Sequence, residues 1–166
     1  MESRHHEKCL DDQPARATRK GEKLMREAIP NCLWLGNAAD ARDISAVLGL
    51  RIVAIVDLAM EEPSILFPRD IVYCRIPLVD GSGNRPEIIR AAVDLTASLI
   101  DSRVPTLVAC GAGMSRSPII VAAALARIDG RSLEQALEDI TAGVAHDVST
   151  SLWAEIKAVC DKWGDE

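Results

Sequence analysis

At 166 residues the chain is sized for one domain with a real core, and a formal net charge of -6 excludes a protein whose affinity rests on broad contact with nucleic-acid phosphates. Hydrophobic residues reach 48% while aromatics are only 3%, so the sequence should fold around a core of Ala, Val, Leu and Ile. No apolar run approaches the length of a membrane span, and the N-terminus lacks the apolar core of a signal peptide, so no membrane and no nucleic acid is expected as a partner and the default compartment is the cytoplasm.

In chain order, residues 1–28 are polar, mix Arg and Lys with acids, and read as a flexible tail in which His5 and His6 are solvated. The folded domain is expected over residues 29–166. Ile29 to Leu35 reads as a strand ending in the turn residues Gly36 and Asn37, and Ala38 to Leu48 as a helix stopped by Gly49. Leu50 to Ala59 reads as a buried strand, with Asp57 at its end as a turn cap, and Glu61 to Asp70, holding Pro63 and Pro68, as a loop. A further strand, Ile71 to Ile76, delivers the flexible loop Pro77 to Pro86. Pro86 then suits the first turn of a long amphipathic helix to Asp101.

Val104 to Ala109 is the next strand, and Ser117 to Ile128 is a helix apolar on all sides and therefore central. Ser132 and Gln135 match a capping box opening a helix to about Ala142, and Ser149 to Trp163 forms the last helix. Strands alternating with helices predict an α/β fold: a single compact domain with a mainly parallel central sheet flanked by helices. The five cysteines, Cys9, Cys32, Cys74, Cys110 and Cys160, are scattered without a C-x-x-C pair, so no disulfide framework, metal site or cofactor is indicated.

The stretch Val108 to Pro118 stands apart. An apolar strand runs into Cys110, a glycine-rich loop follows, and a helix opens beside Arg116. Loop N–H groups and the positive end of the helix dipole converge there on a point suited to a dianionic oxygen cluster, and the same features stabilise a thiolate. The reading is a cysteine nucleophile facing a phosphoryl group. Arg116 suits two phosphoryl oxygens at once through its planar fork, and Gly111, Ala112, Gly113, Met114, Ser115 and Arg116 would offer backbone donors, with Gly111 and Gly113 permitting the backbone angles required.

Cys110-Gly111-Ala112-Gly113-Met114-Ser115-Arg116-Ser117 resembles the signature loop of the dual-specificity phosphatases, within the cysteine-dependent protein tyrosine phosphatase superfamily. Leu33-Trp34-Leu35-Gly36-Asn37 is similar to that family's entry strand, and Ile76-Pro77-Leu78-Val79-Asp80 to its acid loop. The resemblance, covering about Ile29 to Trp163, implies a protein tyrosine phosphatase-like fold of the dual-specificity type and metal-free hydrolysis of phosphomonoesters through a phosphocysteine on Cys110. It implies a phosphoprotein or phosphopeptide substrate, bearing phosphotyrosine or phosphoserine/threonine. Asp80 would be the general acid and then base, its flanking glycines letting the loop close, and Ser117 would donate to the departing thiolate.

The chain departs from the family in carrying Ala109 where a histidine is usual, which motivates an alternative: a module of the same fold that binds phosphate without turnover. A third reading keeps the enzyme but directs it to a phosphoinositide or an RNA 5′-phosphate. The uncharged Gly111, Ala112, Met114 and Ser115 disfavour it, because lipid-directed relatives often place lysines inside the loop.

Overall fold

The structure, a computed structural model, describes residues 25–68 and 70–165; most of the expected tail, with His5, His6 and Cys9, lies outside them. Five strands, β1 (Arg26–Ile29), β2 (Leu33–Asn37), β3 (Ala54–Ala59), β4 (Val72–Leu78) and β5 (Thr106–Cys110), form one sheet in the order β1-β2-β5-β3-β4. The β2-β5, β5-β3 and β3-β4 pairs are parallel and only β1 runs antiparallel, so the mainly parallel α/β architecture read from the sequence is the one observed.

The helices are α1 (Ala38–Arg42), α2 (Ile44–Gly49), α3 (Pro86–Asp101), α4 (Arg116–Asp129), α5 (Leu133–Thr141) and α6 (Thr150–Asp161), with a terminal 3-10 turn at Lys162–Asp165. Helix α4 packs against α3, α5 and α6, and every residue from Arg116 to Ala126 is buried. A helix apolar on all sides can be stable only with such cover. The larger core lies on this face of the sheet, with Leu33, Val56, Leu58, Val108 and Cys110 against Ile119, Ile120, Leu152 and Ile156. The smaller one lies on the opposite face, where Trp34, Ile55, Leu107 and Ala109 meet Ala41, Val47, Ile52 and Ile71.

Four boundaries differ from the expectation. The folded chain begins before residue 29: Met25 is buried, and Arg26–Ile29 pairs with β2 through a turn at Asn31, whose N–H donates to Glu27 Oε1 at 2.6 Å. The helix expected from Ala38 to Leu48 is two helices, because Asp43 serves both. Its N–H closes α1 on the Ala39 and Asp40 carbonyls, and its carboxylate accepts from Ala46 N at 2.9 Å to open α2. The strand expected from Leu50 begins at Ala54, after a turn in which Arg51 takes φ 56°. Strand β4 continues through Pro77 to Leu78, which is tolerable because β4 is an edge strand. The capping box at Ser132 and Gln135 is present, and Pro86 occupies the first turn of α3. No helix among the described residues is long and apolar enough to cross a membrane.

Candidate active site

Neighbouring parallel strands end side by side, and each hands over a polar group within two residues of its end. Cys110 closes β5 in register with Asn37, Glu61 lies two residues beyond β3, and Asp80 two residues beyond β4. Cys110 is 1% exposed. The loop after it is fastened on both shoulders: Gly111 O accepts from Ala38 N at 3.2 Å, and Met114 O from Asp147 N at 2.9 Å. Gly113 has φ 75°, and a Cβ there would stand 2.9 Å from the Gly36 carbonyl oxygen, so both the angle and the space demand glycine. Gly111 does not take positive φ. Its lack of a side chain serves the close approach of Glu61, with whose carboxylate a Cβ would collide, and not the backbone angle expected from the sequence.

Ser115 is the N-cap of α4 but makes no side-chain cap; its hydroxyl donates instead to Asp80 Oδ1 at 2.6 Å. Arg116, first in the helix, has a side chain only 3% exposed. Its Nη1 donates to Leu78 O at 2.9 Å and to Glu61 Oε2 at 2.7 Å, with Leu58 O at the margin of reach, and its Nη2 donates to Glu61 Oε1. A guanidinium has five N–H donors, and these bonds engage three. The remaining two, on Nε and Nη2, lie side by side, and Nε is buried with no hydrogen-bond partner, Asp80 Oδ2 standing 3.8 Å away. That edge matches two oxygens of one phosphoryl group.

The bond from Arg116 holds the Glu61 carboxyl below its ordinary range against the opposing effect of burial. The same bond raises Arg116 above its ordinary value, against burial and with added help from Cys110 and Asp80. Sequence reasoning left Glu61 in a loop without a role, since an isolated acid in a stretch with two prolines carries no motif.

The acid loop is a closed ring. Asn84 Oδ1 accepts from Val79 N at 2.7 Å, while its Nδ2 donates to Val79 O at 3.2 Å and Gly81 O at 3.0 Å. Glu155, on α6, accepts from Gly83 N at 2.7 Å, Asn84 N at 3.1 Å and Asn84 Nδ2 at 3.0 Å. Where the sequence promised glycines that let a loop close, the structure holds that loop already tied.

No family model matches the chain, and no curated protein matches it in sequence. Solved structures do match. A mouse putative dual specificity phosphatase complexed with zinc tungstate superposes with TM-score 0.75 at 21% identity, over 91% of this chain and 96% of its own. Human DUSP28 gives 0.73 at 20%, over 86% and 99%. The human tyrosine phosphatase-like serine/threonine/tyrosine-interacting protein gives 0.68 at 17%, over 87% and 97%. The fold is that of the dual-specificity phosphatases.

Within this phosphatase fold the remaining candidates fall as follows. Ser117, in the first turn of α4, is fully buried and its Oγ has no hydrogen-bond partner among the described residues. Ala109 alternates with Cys110 along β5, so its side chain belongs to the smaller core on the opposite face, where it is fully buried. Met114 is partly exposed and walls a cavity of about 80 Å³ shared with Met25, Asp40 and His146. His146 and Asp147, read from sequence as a surface turn, form the segment that clamps Met114 through its backbone. Asp57 does not cap a turn as expected but lies within β3, its carboxylate accepting from Ala59 N at 3.0 Å and from the Tyr73 hydroxyl at 2.6 Å. Among the described residues no cluster of His, Cys, Asp and Glu is arranged to hold a metal ion.

Proposed function

We propose that the protein is a phosphatase that hydrolyses phosphomonoesters on phosphotyrosine and phosphoserine/threonine proteins through a phosphocysteine on Cys110. The observation that carries this reading is the pair of unengaged N–H donors on buried Arg116, beside Cys110, with Asp80 held at the same mouth. Arg116 and the loop amides hold the three non-bridging oxygens while the Cys110 sulfur attacks phosphorus and the P–O bond to the leaving group breaks. Asp80 gives its proton to the leaving oxygen. In the second step the Asp80 carboxylate takes a proton from water as that water attacks phosphorus, and the P–S bond breaks with Ser117 Oγ donating to the departing thiolate.

The mouse structure of the same fold is a complex with zinc tungstate, and tungstate is a tetrahedral oxyanion shaped like phosphate, in keeping with a fold that accommodates such an anion. Carboxylates at the rim, Glu61 and Asp80, with no lysine inside the loop, favour a phosphoprotein over a polyanionic lipid headgroup. A reducing compartment such as the cytoplasm keeps the thiol free. The non-catalytic alternative rested on Ala109, whose side chain lies on the face of the sheet away from Cys110.

The deciding measurement is turnover of an aryl phosphate in the presence of a chelator. The wild-type chain should turn over repeatedly and Cys110→Ser should fall to background. A stoichiometric burst without turnover would favour the binding module, and full activity in Cys110→Ser would sink the mechanism.

A further inference from the structure

We infer that Glu155 and Asn84 are positioning residues that latch the acid loop in its working geometry, so that Asp80 acts from a fixed ring and not from a closing flap. The inference rests on the phosphatase reading above. One side chain, Asn84, engages both the N–H and the C=O of Val79 and the C=O of Gly81, the two neighbours of Asp80. The backbone on either side of the acid is therefore held by a single amide, whose oxygen accepts from Val79 and whose two N–H groups serve Val79 O, Gly81 O and Glu155 Oε2, one of them shared between two acceptors. Glu155 then fixes that amide and the N–H groups of Gly83 and Asn84 with a charged acceptor.

The latch is anchored to the same frame as the nucleophile. Glu155 projects from α6, whose Leu152 and Ile156 are buried in the core with α4, and α4 begins at Arg116. The far end of the ring is tied by Ser115 to Asp80 itself. Asp80, 44% exposed, thus has its backbone set by α6 and its carboxylate set by the phosphate loop. Burial pushes the Glu155 carboxyl up, but the three hydrogen bonds outweigh it and leave the group below its ordinary range, as expected of an acceptor that stays ionised.

A residue that only supports folding and one that aims the acid differ in what they do to the leaving group. Protonation by Asp80 matters more as the leaving oxygen becomes more basic. The experiment compares kcat/KM for phenyl phosphate, a basic leaving group, with kcat/KM for para-nitrophenyl phosphate, an acidic one, within single preparations of wild type, Glu155→Ala, Asn84→Ala and Glu155→Gln. That ratio covers only the steps through P–O cleavage and not the phosphocysteine hydrolysis common to both substrates. Because both substrates meet the same sample, a partly unfolded fraction lowers both rates equally and leaves their ratio unchanged.

Misplacement of a reacting group can cost about 10²-fold, so the Ala variants should lose about tenfold on phenyl phosphate and less than about twofold on para-nitrophenyl phosphate. Glu155→Gln, which keeps one acceptor oxygen, should recover part of the loss. In an Asp80→Asn background the Ala variants should leave the ratio where Asp80→Asn alone sets it. Equal losses on the two substrates, or no loss, would overturn the latch while leaving the phosphatase reading intact. A wild-type chain that turns over neither substrate would overturn the reading, and the latch with it.

Discussion

The two halves of the candidate site, Cys110 to Arg116 proposed as the nucleophile half and Val79 to Asn84 as the acid half, are built by opposite means. Cys110 to Arg116 is a contiguous stretch between a buried strand and a buried helix, fastened by backbone bonds at Gly111 and Met114. Val79 to Asn84 is a surface ring between edge strand β4 and α3, held by side chains from Asn84, from Glu155 some seventy residues away, and from Ser115. The difference teaches where each half is vulnerable. The first can be broken by adding an atom; the second by removing a hydrogen-bonding group.

The largest expected effect comes from adding a methyl group to the nucleophile half. Gly113→Ala places a Cβ against the backbone of Gly36 at a residue with φ 75°, so the loop must shift as a unit. A displacement near 1 Å costs about 10²-fold in turnover of an aryl phosphate. The matched change on the acid side, Gly83→Ala, meets nothing within 4 Å at φ 100° and should cost backbone strain alone, about 1 kcal/mol by denaturant titration. Similar activity losses from the two would erase the contrast.

Next in size is the wall between the halves. Glu61→Gln keeps the shape that grips Arg116 but removes the charge, and should lower kcat/KM for an aryl phosphate about tenfold, mostly through KM. Unchanged KM would mean that the fork holds its orientation from the Leu78 carbonyl alone.

The smallest effect on activity is expected at the Tyr73–Asp57 hydrogen bond between β4 and β3, which belongs to neither half. Tyr73 is the only tyrosine in the chain, so tyrosinate absorbance reports it alone. Burial first, and then the hydrogen bond to Asp57, push its phenol up to about 12. An unfolded chain releases that proton near pH 10, as a free tyrosine does, so the stabilisation is whole below about pH 10 and is lost as pH rises through about 12. Tyr73→Phe should remove that alkaline decline and leave aryl phosphate turnover within about twofold, while the unpaired Asp57 oxygen costs about 1–3 kcal/mol of stability. A wild-type absorbance midpoint near pH 10 would show that Tyr73 is not held as described.

What the sequence made legible follows the same division. Cys110, Arg116, the glycine at 113 and the helix opening after them lie within a few residues of one another, so their constraints are local and leave a readable pattern. Pro86 and the Ser132–Gln135 box are local in the same sense. Glu61 and Glu155 act across tens of residues, and nothing near each of them in the chain marks it out from the other acids; Asn84 bonds to backbone only three to five residues away, but an amide in a loop of glycines carries no pattern that says so. Asp80 was found because its loop resembled a known one, yet its bond to Ser115 was not foreseeable: a serine at a helix start reads as a cap. Strand β1 was missed because its four residues, Arg26 to Ile29, mix charge and small apolar groups and are made a strand by pairing with β2. The break at Asp43 escaped because a residue that ends one helix and starts the next leaves the apolar spacing across it undisturbed.

The grip of Glu61 and Leu78 on Arg116 also bears on the entropy of binding. A free arginine side chain carries about 2 kcal/mol of rotamer entropy. Here that freedom is surrendered when the chain folds, because three N–H groups are already engaged and the side chain is 3% exposed. An arriving oxyanion meets two donors whose direction is already set and need not order them itself. At the same contacts, a freely rotating arginine would bind about thirtyfold more weakly.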